Sequence, residues 1–470
     1  MANISSPGIG SGLDIKSIVS QLTEVERMPL KKMQSAASTI QTRISSFGQM
    51  QSLLSTFKDA ASALSNPSSW NVVTATSSNP TVMSATATGG SVTGSYTVTV
   101  NKLAASQTVA SSAEPPFADS TAVVGQGDIT IGLGSWASGS FVADPTRLPV
   151  TISVGAGADS LAAVRDRINA ANAGVSASIV QDFNGARLVL RSTQTGSANG
   201  FQIGTTGSLD ALAYNGAGST MTLTQPAENA EVTINNLPVT SASNTLTSAI
   251  DGVTLKLSQV TTAPVDITVA QDTDAIAKSV QTFADAYSAL AKYISTQSAY
   301  DATSKIGGPL QGDFTTRTTQ NQLRSVFAQV SGASSVYTQI SQIGLSVQTD
   351  GSLKLDTGKL KTALGNTGEV RKLLAASDAV LPEDNGFAKR MQTLATRMLD
   401  SDGSLTTRSQ GLKRQLQSNQ QSQDKLAARV EQFQKRITDQ YNRLDSQLGK
   451  LNGLSNYVTQ QMNLLNKTSA

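Results

Sequence analysis

From about Thr406 to Leu465 the chain carries no proline, and its apolar residues return at helical spacing, mostly in steps of three or four: Leu412, Leu416, Leu426, Val430, Phe433, Ile437, Tyr441, Leu444, Leu448, Leu451, Val458 and Met462. Charged residues such as Arg429, Glu431, Lys435, Arg436, Asp439 and Arg443 fall between them. A 3,4 alternation sustained over several heptads belongs to a helix that packs along its whole length against another helix. A helix lying on a globular core needs a stripe of only a few turns, so this segment demands a long partner.

The other end of the chain offers one. Asp14 can N-cap a helix after the flexible Pro7-Gly8-Ile9-Gly10-Ser11-Gly12 run, and Ile18, Leu22 and Val25 follow at helical spacing. Pro29 is expected to interrupt this helix or start the next, which runs through Met33, Ile40, Ile44, Phe47, Leu54, Phe57, Ala61 and Leu64 until Asn66-Pro67 ends it.

Between the helical ends the period changes to two. Ser95–Val100, Val150–Val154, Arg187–Leu190 and Glu231–Ile234 alternate β-branched and polar residues, separated by Gly, Asn, Asp or Pro. One helix is expected inside this block, from Ser160 to about Ala171, with Leu161, Val164 and Ile168 on one face. Helical spacing returns at Thr273-Asp274 and runs through Ile276, Val280, Phe283, Tyr287, Leu290 and Ile294. A short hairpin follows at Ile343–Leu355, turned at Asp350-Gly351, and Asp356 caps another helix.

The pattern predicts an α+β, multidomain chain: a helical stalk or coiled coil formed by both chain ends, with β-rich head domains inserted. The expected parts are terminal coiled-coil legs (1–40 with 430–470) and a helical stalk domain with a small hairpin (41–72 with 273–429). An inner β-rich head domain (73–110 with 226–272) and an outer one with a single helix (111–225) complete it. The oligomer seam is expected at Ile18, Leu22, Val25, Val430, Phe433, Ile437, Leu444, Leu448 and Leu451, whose partners include other copies of the same chain.

Composition removes much of enzymology. With no His and no Cys, the chain cannot build a Ser-His or Cys-His nucleophile pair, a His/Cys zinc site, haem ligation by either residue, or a disulfide framework. Charged residues are only 15%, well under the usual quarter, and aromatics 4%, so cores rest on Leu, Val, Ile and Ala and the polar surface on uncharged residues. The net charge of +3 is uneven: residues 68–270 carry 7 basic against 12 acidic residues, the remainder 29 against 21. Neither part has a basic stripe interleaved with aromatics, so no nucleic-acid footprint is expected. The first thirty residues lack a basic segment followed by an apolar block, and no run reaches the roughly 18 apolar residues of a membrane span.

Local motifs read as structure. The glycine run at 8–12 follows no predicted strand and precedes no Gly-Lys-Ser/Thr, so it is a hinge and not a phosphate loop. Asp400-Ser401-Asp402-Gly403 starts like a calcium loop, but its glycine is early and no Glu closes it, leaving a turn. Asp272-Thr273-Asp274 reads as a helix start, with carboxylates at the positive end of the dipole. No catalytic residue, cofactor or metal ligand is nominated.

Five stretches carry a family resemblance. Gly8–Leu22 with Glu26-Arg27-Met28-Pro29-Leu30 resembles the opening of the flagellar filament-capping proteins, the flagellar hook-associated protein 2 family. Val98–Ala104 resembles the first β segment of that family, and Val232–Asn236 through Ile250–Leu255 resembles the repeat shared by flagellar hook-associated proteins. Pro309–Asp313 with Leu323-Arg324, and Ile343–Leu345 through Asp350–Leu353 to Asp356, resemble the C-terminal half. Pro115-Pro116-Phe117 and Gly132–Trp136 depart from the pattern.

The resemblance implies a non-enzymatic, secreted, extracellular cap at the tip of the bacterial flagellar filament, which retains exported flagellin and promotes its folding and polymerisation. It implies a homo-oligomer, a pentamer with tetramer or hexamer as alternatives. The other implied partners are flagellin, the hook-filament junction proteins, the flagellar export apparatus and an export chaperone. Two different readings stand beside it: a surface adhesin whose β head binds a host glycan or protein, giving a role in cell adhesion, and a hook-filament junction protein.

Overall fold

The fold is that of a computed structural model describing residues 14–303, 305–378, 380–381 and 384–468, with side chains described as far as residue 464. The glycine run at 8–12 lies outside the described residues. Among them, eight α-helices occur: α1 (Ile15–Ser65), α2 (Leu161–Ala170), α3 (Thr273–Ser298), α4 (Phe314–Ala328), α5 (Thr357–Ala363), α6 (Thr367–Ala375), α7 (Phe387–Leu399) and α8 (Ser404–Thr468). The chain divides into two compact units, 1–70 with 276–470 and 71–275.

The first unit is helical. Asp14 caps α1 through Oδ1, which accepts from the Ser17 N–H at 2.9 Å, and the 51-residue helix then continues through Pro29 without a break. The expected interruption at Pro29 does not occur. Proline removes one helical hydrogen bond and crowds the preceding turn, but Pro29 is exposed, and the helix packs against α8 on both sides of it. Tertiary packing here overrides a local cost.

Farther along α1, Phe47, Met50, Leu54, Phe57, Ala61 and Leu64 form a buried stripe. It meets the matching stripe of α3, Ile276 to Ile294, together with Leu323 and Phe327 of α4 and Phe387 and Met391 of α7. Seven aromatic residues are buried here. The Phe57 ring lies 5.2 Å from Phe283 and edge-on to Tyr287, Phe327 is edge-on to Tyr287 at 5.0 Å, and Phe387 stacks on Phe327. Trp70 closes this core, its indole N–H donating to the Leu64 carbonyl at 2.8 Å. The hairpin forms between Leu345–Val347 and Leu353–Leu355, where Gly351 adopts the positive φ that the turn requires.

The second unit is β-rich and buries two separate apolar clusters. One, including Val98, Val100, Val232, Leu255 and Ile267, is shared by a five-stranded antiparallel sheet and a three-stranded one. The first runs in the order 73–77, 265–271, 94–102, 230–234, 237–241, and the second 245–250, 253–257, 83–87. The other cluster lies among strands within 108–225 and α2, whose Leu161, Val164 and Ile168 face inward. Ser160 caps α2, its hydroxyl accepting from the Ala163 N–H.

The centre of this second cluster is Gly127–Ala137, which pairs with 200–205 along one side and with 150–154 and 140–143 along the other. Strand 175–182 pairs, among the described residues, only with 185–192. Its open edge is closed from α2: the Asn169 amide donates to the Ala177 carbonyl at 2.9 Å and accepts from the Ala177 N–H at 2.7 Å. One side chain thereby occupies backbone groups that a foreign strand could pair with.

Candidate assembly surface

The two terminal helices pack antiparallel. Gln51 reaches Thr406, Gln423 donates to the Met33 carbonyl, and Val19 and Thr23 lie across from Gln434, Thr438 and Asn442. The inward face of the N-terminal part of α1 is Ile15, Val19 and Thr23. Thr23 can be buried there because its hydroxyl donates to the Val19 carbonyl at 2.7 Å, one turn back.

The residues expected to form the seam divide between covered and open surface. Val430 is buried against α1, while Ile18, Phe433, Ile437 and Leu448 are half-buried. The Phe433 ring also carries the Arg436 guanidinium at 5.5 Å. By contrast, Leu22 is 38% exposed, Val25 63%, Leu444 42% and Leu451 58%. The Leu22–Val25 stripe thus points away from the face that meets α8, one residue out of register with Ile15–Val19–Thr23.

Beyond Asn442, α8 runs on. From Lys450 to Leu464 every residue is exposed, including Leu451, Leu454, Tyr457, Val458 and Met462. At about 1.5 Å per residue, 443–464 make an apolar-striped rod roughly 33 Å long. Leu454 and Tyr457 extend the stripe the sequence reading identified, and the step of three from Leu451 was the available signal for Leu454.

The groove where the pair begins holds about 630 Å³, lined by Ile15 and Val19 and by polar groups including Asp14, Glu24, Arg27 and Gln434. Lys31, hydrogen-bonded to Glu24, holds that carboxyl below its usual range. Among the described residues no group of three or more His, Cys, Asp or Glu side chains could hold a metal ion, and no helix is long and apolar enough to cross a membrane. The carboxylates with the largest shifts serve loop architecture. Asp144 is held at about 2 by the Thr146 hydroxyl and N–H and by Arg147, and Glu369 at about 2 by Lys372 and by the Ser334 hydroxyl. Asp272 accepts from the Ala275 N–H at 2.8 Å, as a helix cap does.

Comparison with known proteins bears on the whole chain. Residues 11–107 and 227–453 match family models described as flagellar hook-associated protein 2 N-terminus and C-terminus, and 138–194 match the flagellin hook IN motif. The hook motif thus falls earlier than the 232–255 stretch read as a shared repeat, which lies within the C-terminal model. The departures Pro115–Phe117 and Gly132–Trp136 lie between matched segments. The chain is 34% identical to flagellar hook-associated protein 2 of Escherichia coli strain K12, covering 98% of each chain. It is 30% identical to that of Salmonella typhimurium strain LT2, covering 100% of each. Among solved structures, the D1-D2-D3 domains of the Escherichia coli flagellar cap protein superpose with a TM-score of 0.60 at 30% identity, covering 78% of this chain and 99% of that one.

Proposed function

The chain belongs to the flagellar hook-associated protein 2 family, and from that premise we propose that its terminal helices are the part that holds a cap to the growing filament. The protein is the extracellular cap at the distal tip of the bacterial flagellar filament, where it prevents loss of exported flagellin and promotes its polymerisation. The observation that carries this is similarity running end to end through proteins of one kind. Its relatives are caps, which favours this role over a junction protein or an adhesin. Its work is mechanical and needs no reactive side chain.

The α1–α8 pair supports a division of labour along the chain. Near Phe57 the helices are fixed in a core, whereas the distal length of α8 offers a stripe without cover from the described residues. Leu22 and Val25 on α1, and Leu444, Leu448 and Leu451 on α8, are the positions where other copies or filament subunits are proposed to dock. The legs 1–40 with 430–470, the stalk, and the inner and outer head domains are the proposed working parts, and the two apolar clusters of 71–275 support splitting the head in two. The proposed assembly is a homo-oligomer, with a pentamer expected over a tetramer or hexamer. Flagellin, the hook-filament junction proteins, the export apparatus and an export chaperone are its proposed partners.

The test is a cap-deficient strain complemented with the double variant Ile437→Asp, Leu444→Asp. Each buried Leu or Ile is worth roughly 1.5–3 kcal/mol, and a charge on the seam adds a desolvation cost. The variant should be secreted and folded, show reduced oligomer mass in light scattering, and leave flagellin in the medium with no filament growth. Normal filaments with unchanged mass would reject the seam.

A further inference from the structure

The two units differ in charge. Residues 71–275 carry 7 basic and 14 acidic side chains, a net −7, and the rest of the chain 29 and 19, a net +10. Inside the β-rich unit the cations are largely engaged. Lys102 pairs with Glu228, Arg147 with Asp144 and Arg165 with Asp166, while Arg167, Arg187 and Arg191 donate to Ser153, Ser111 and Ser106. The charge that this unit shows to solvent is therefore predominantly negative.

The helical unit holds a matching feature at the start of α4. A depression of about 380 Å³ is lined by Arg43, Gln311, Asp313, Phe314 and Arg408 among others. Asp313 is fully employed. Its Oδ2 takes the Arg408 guanidinium at 2.8–2.9 Å, and its Oδ1 caps α4 through the Thr316 N–H. Arg43 is differently placed: its Nε donates to the Pro309 carbonyl at 3.2 Å, and its two terminal nitrogens have no partner among the described residues. Beside it, Phe314 opens α4 and is 80% exposed, and the preceding hairpin adds exposed Tyr300 and Ile306. A half-buried guanidinium fork with free donors next to an exposed aromatic ring is suited to a carboxylate carried on a protein surface.

We propose that the Arg43–Phe314 depression receives the acidic β-rich unit of a second copy of this chain. This contact is heterologous: the helical unit of one subunit meets the β-rich unit of the next, an arrangement that gives a ring when its rotation closes. It rests on the reading of the protein as an oligomeric cap and specifies which surfaces meet. It differs from the α1–α8 seam, because charge complementarity selects the partner and salt weakens it.

The experiment uses the full-length protein with a photo-crosslinking phenylalanine analogue in place of Phe314, irradiated after assembly, with the crosslinks mapped by mass spectrometry. The proposal expects dimer-mass products joining position 314 to residues within 71–275 of another copy, and a yield that falls as salt rises from 0.05 to 0.5 M. In parallel, Arg43→Glu should weaken self-association about tenfold or more, since it sets like charges together, with Arg43→Lys keeping most of it. Crosslinks to the helical unit of another copy, intrachain products only, or no product from a protein shown to be oligomeric would overturn this contact while leaving the cap reading intact. Failure of the unsubstituted chain to oligomerise at all would instead strike the cap reading.

Discussion

The same pair of helices meets two different fates. Around Phe57, α1 buries its stripe against α3, α4 and α7 in an interlocked set of aromatic rings, and Leu405 and Leu412 of α8 join that core. Some forty residues further along α8, Leu451, Leu454, Val458 and Met462 repeat the same spacing and stand open. Periodicity therefore specifies a stripe but not what covers it, and the uncovered part is where contacts with other molecules are proposed.

This contrast predicts opposite responses to the same kind of substitution. Phe57→Ala removes a fully buried ring from the core, and the helical unit should lose about 3–5 kcal/mol, measured by denaturant unfolding. Leu454→Ala in the free protein should change stability by no more than about 0.5 kcal/mol while still impairing assembly. Equal destabilisation by the two would show that the distal stripe is already part of a core.

A second open surface has been dealt with in the other way. Asn169 closes the edge of strand 175–182 with two hydrogen bonds to Ala177, each worth about 1 kcal/mol. Asn169→Ala should cost about 2 kcal/mol and make the full chain prone to concentration-dependent aggregation through that edge, visible in light scattering. If aggregation does not change, the edge is protected by something other than this side chain.

Much of the fold is legible in the sequence because local and long-range signals agree. Asp350-Gly351 fixes a hairpin, Ser160 starts α2, Asp14 and Asp356 cap the helices expected of them, and the proline-free run predicts α8 within two or three residues. Where tertiary contacts override local preference, the reading fails. Pro29 stays helical because packing surrounds it. Strand Gly127–Ala137 is not among the alternating segments read from the sequence; a Cβ at Gly134 would come within 2.2 Å of the Val142 carbonyl, so the glycine is what lets the neighbouring strand approach. On α1 the stripe read from the sequence, Ile18, Leu22 and Val25, stands beside the face buried against α8, Ile15, Val19 and Thr23, whose threonine hydroxyl is satisfied within its own helix.

The smallest expected effect concerns acid. Glu369 ties the loop at Ser334 and Ser335 to α6, and its carboxyl is held at about 2 by Lys372 and the Ser334 hydroxyl. A carboxyl depressed in the folded state contributes stability above its ordinary value near 4.5, and that contribution is lost as pH falls toward 2. Protection of the amides at 333–337, taken relative to their intrinsic exchange rates at each pH, should therefore fall over that window in the native protein and stay constant in Glu369→Gln.

Whether the distal length of α8 is covered only in the assembly is measured directly by hydrogen exchange of the full-length protein as a verified monomer and in assembled form. In the monomer, amides of 450–464 should exchange rapidly while those around Phe57 and Phe283 remain slow, and assembly should protect 450–464 selectively. Protection of 450–464 in the monomer equal to that of the core, unchanged on assembly, would contradict it.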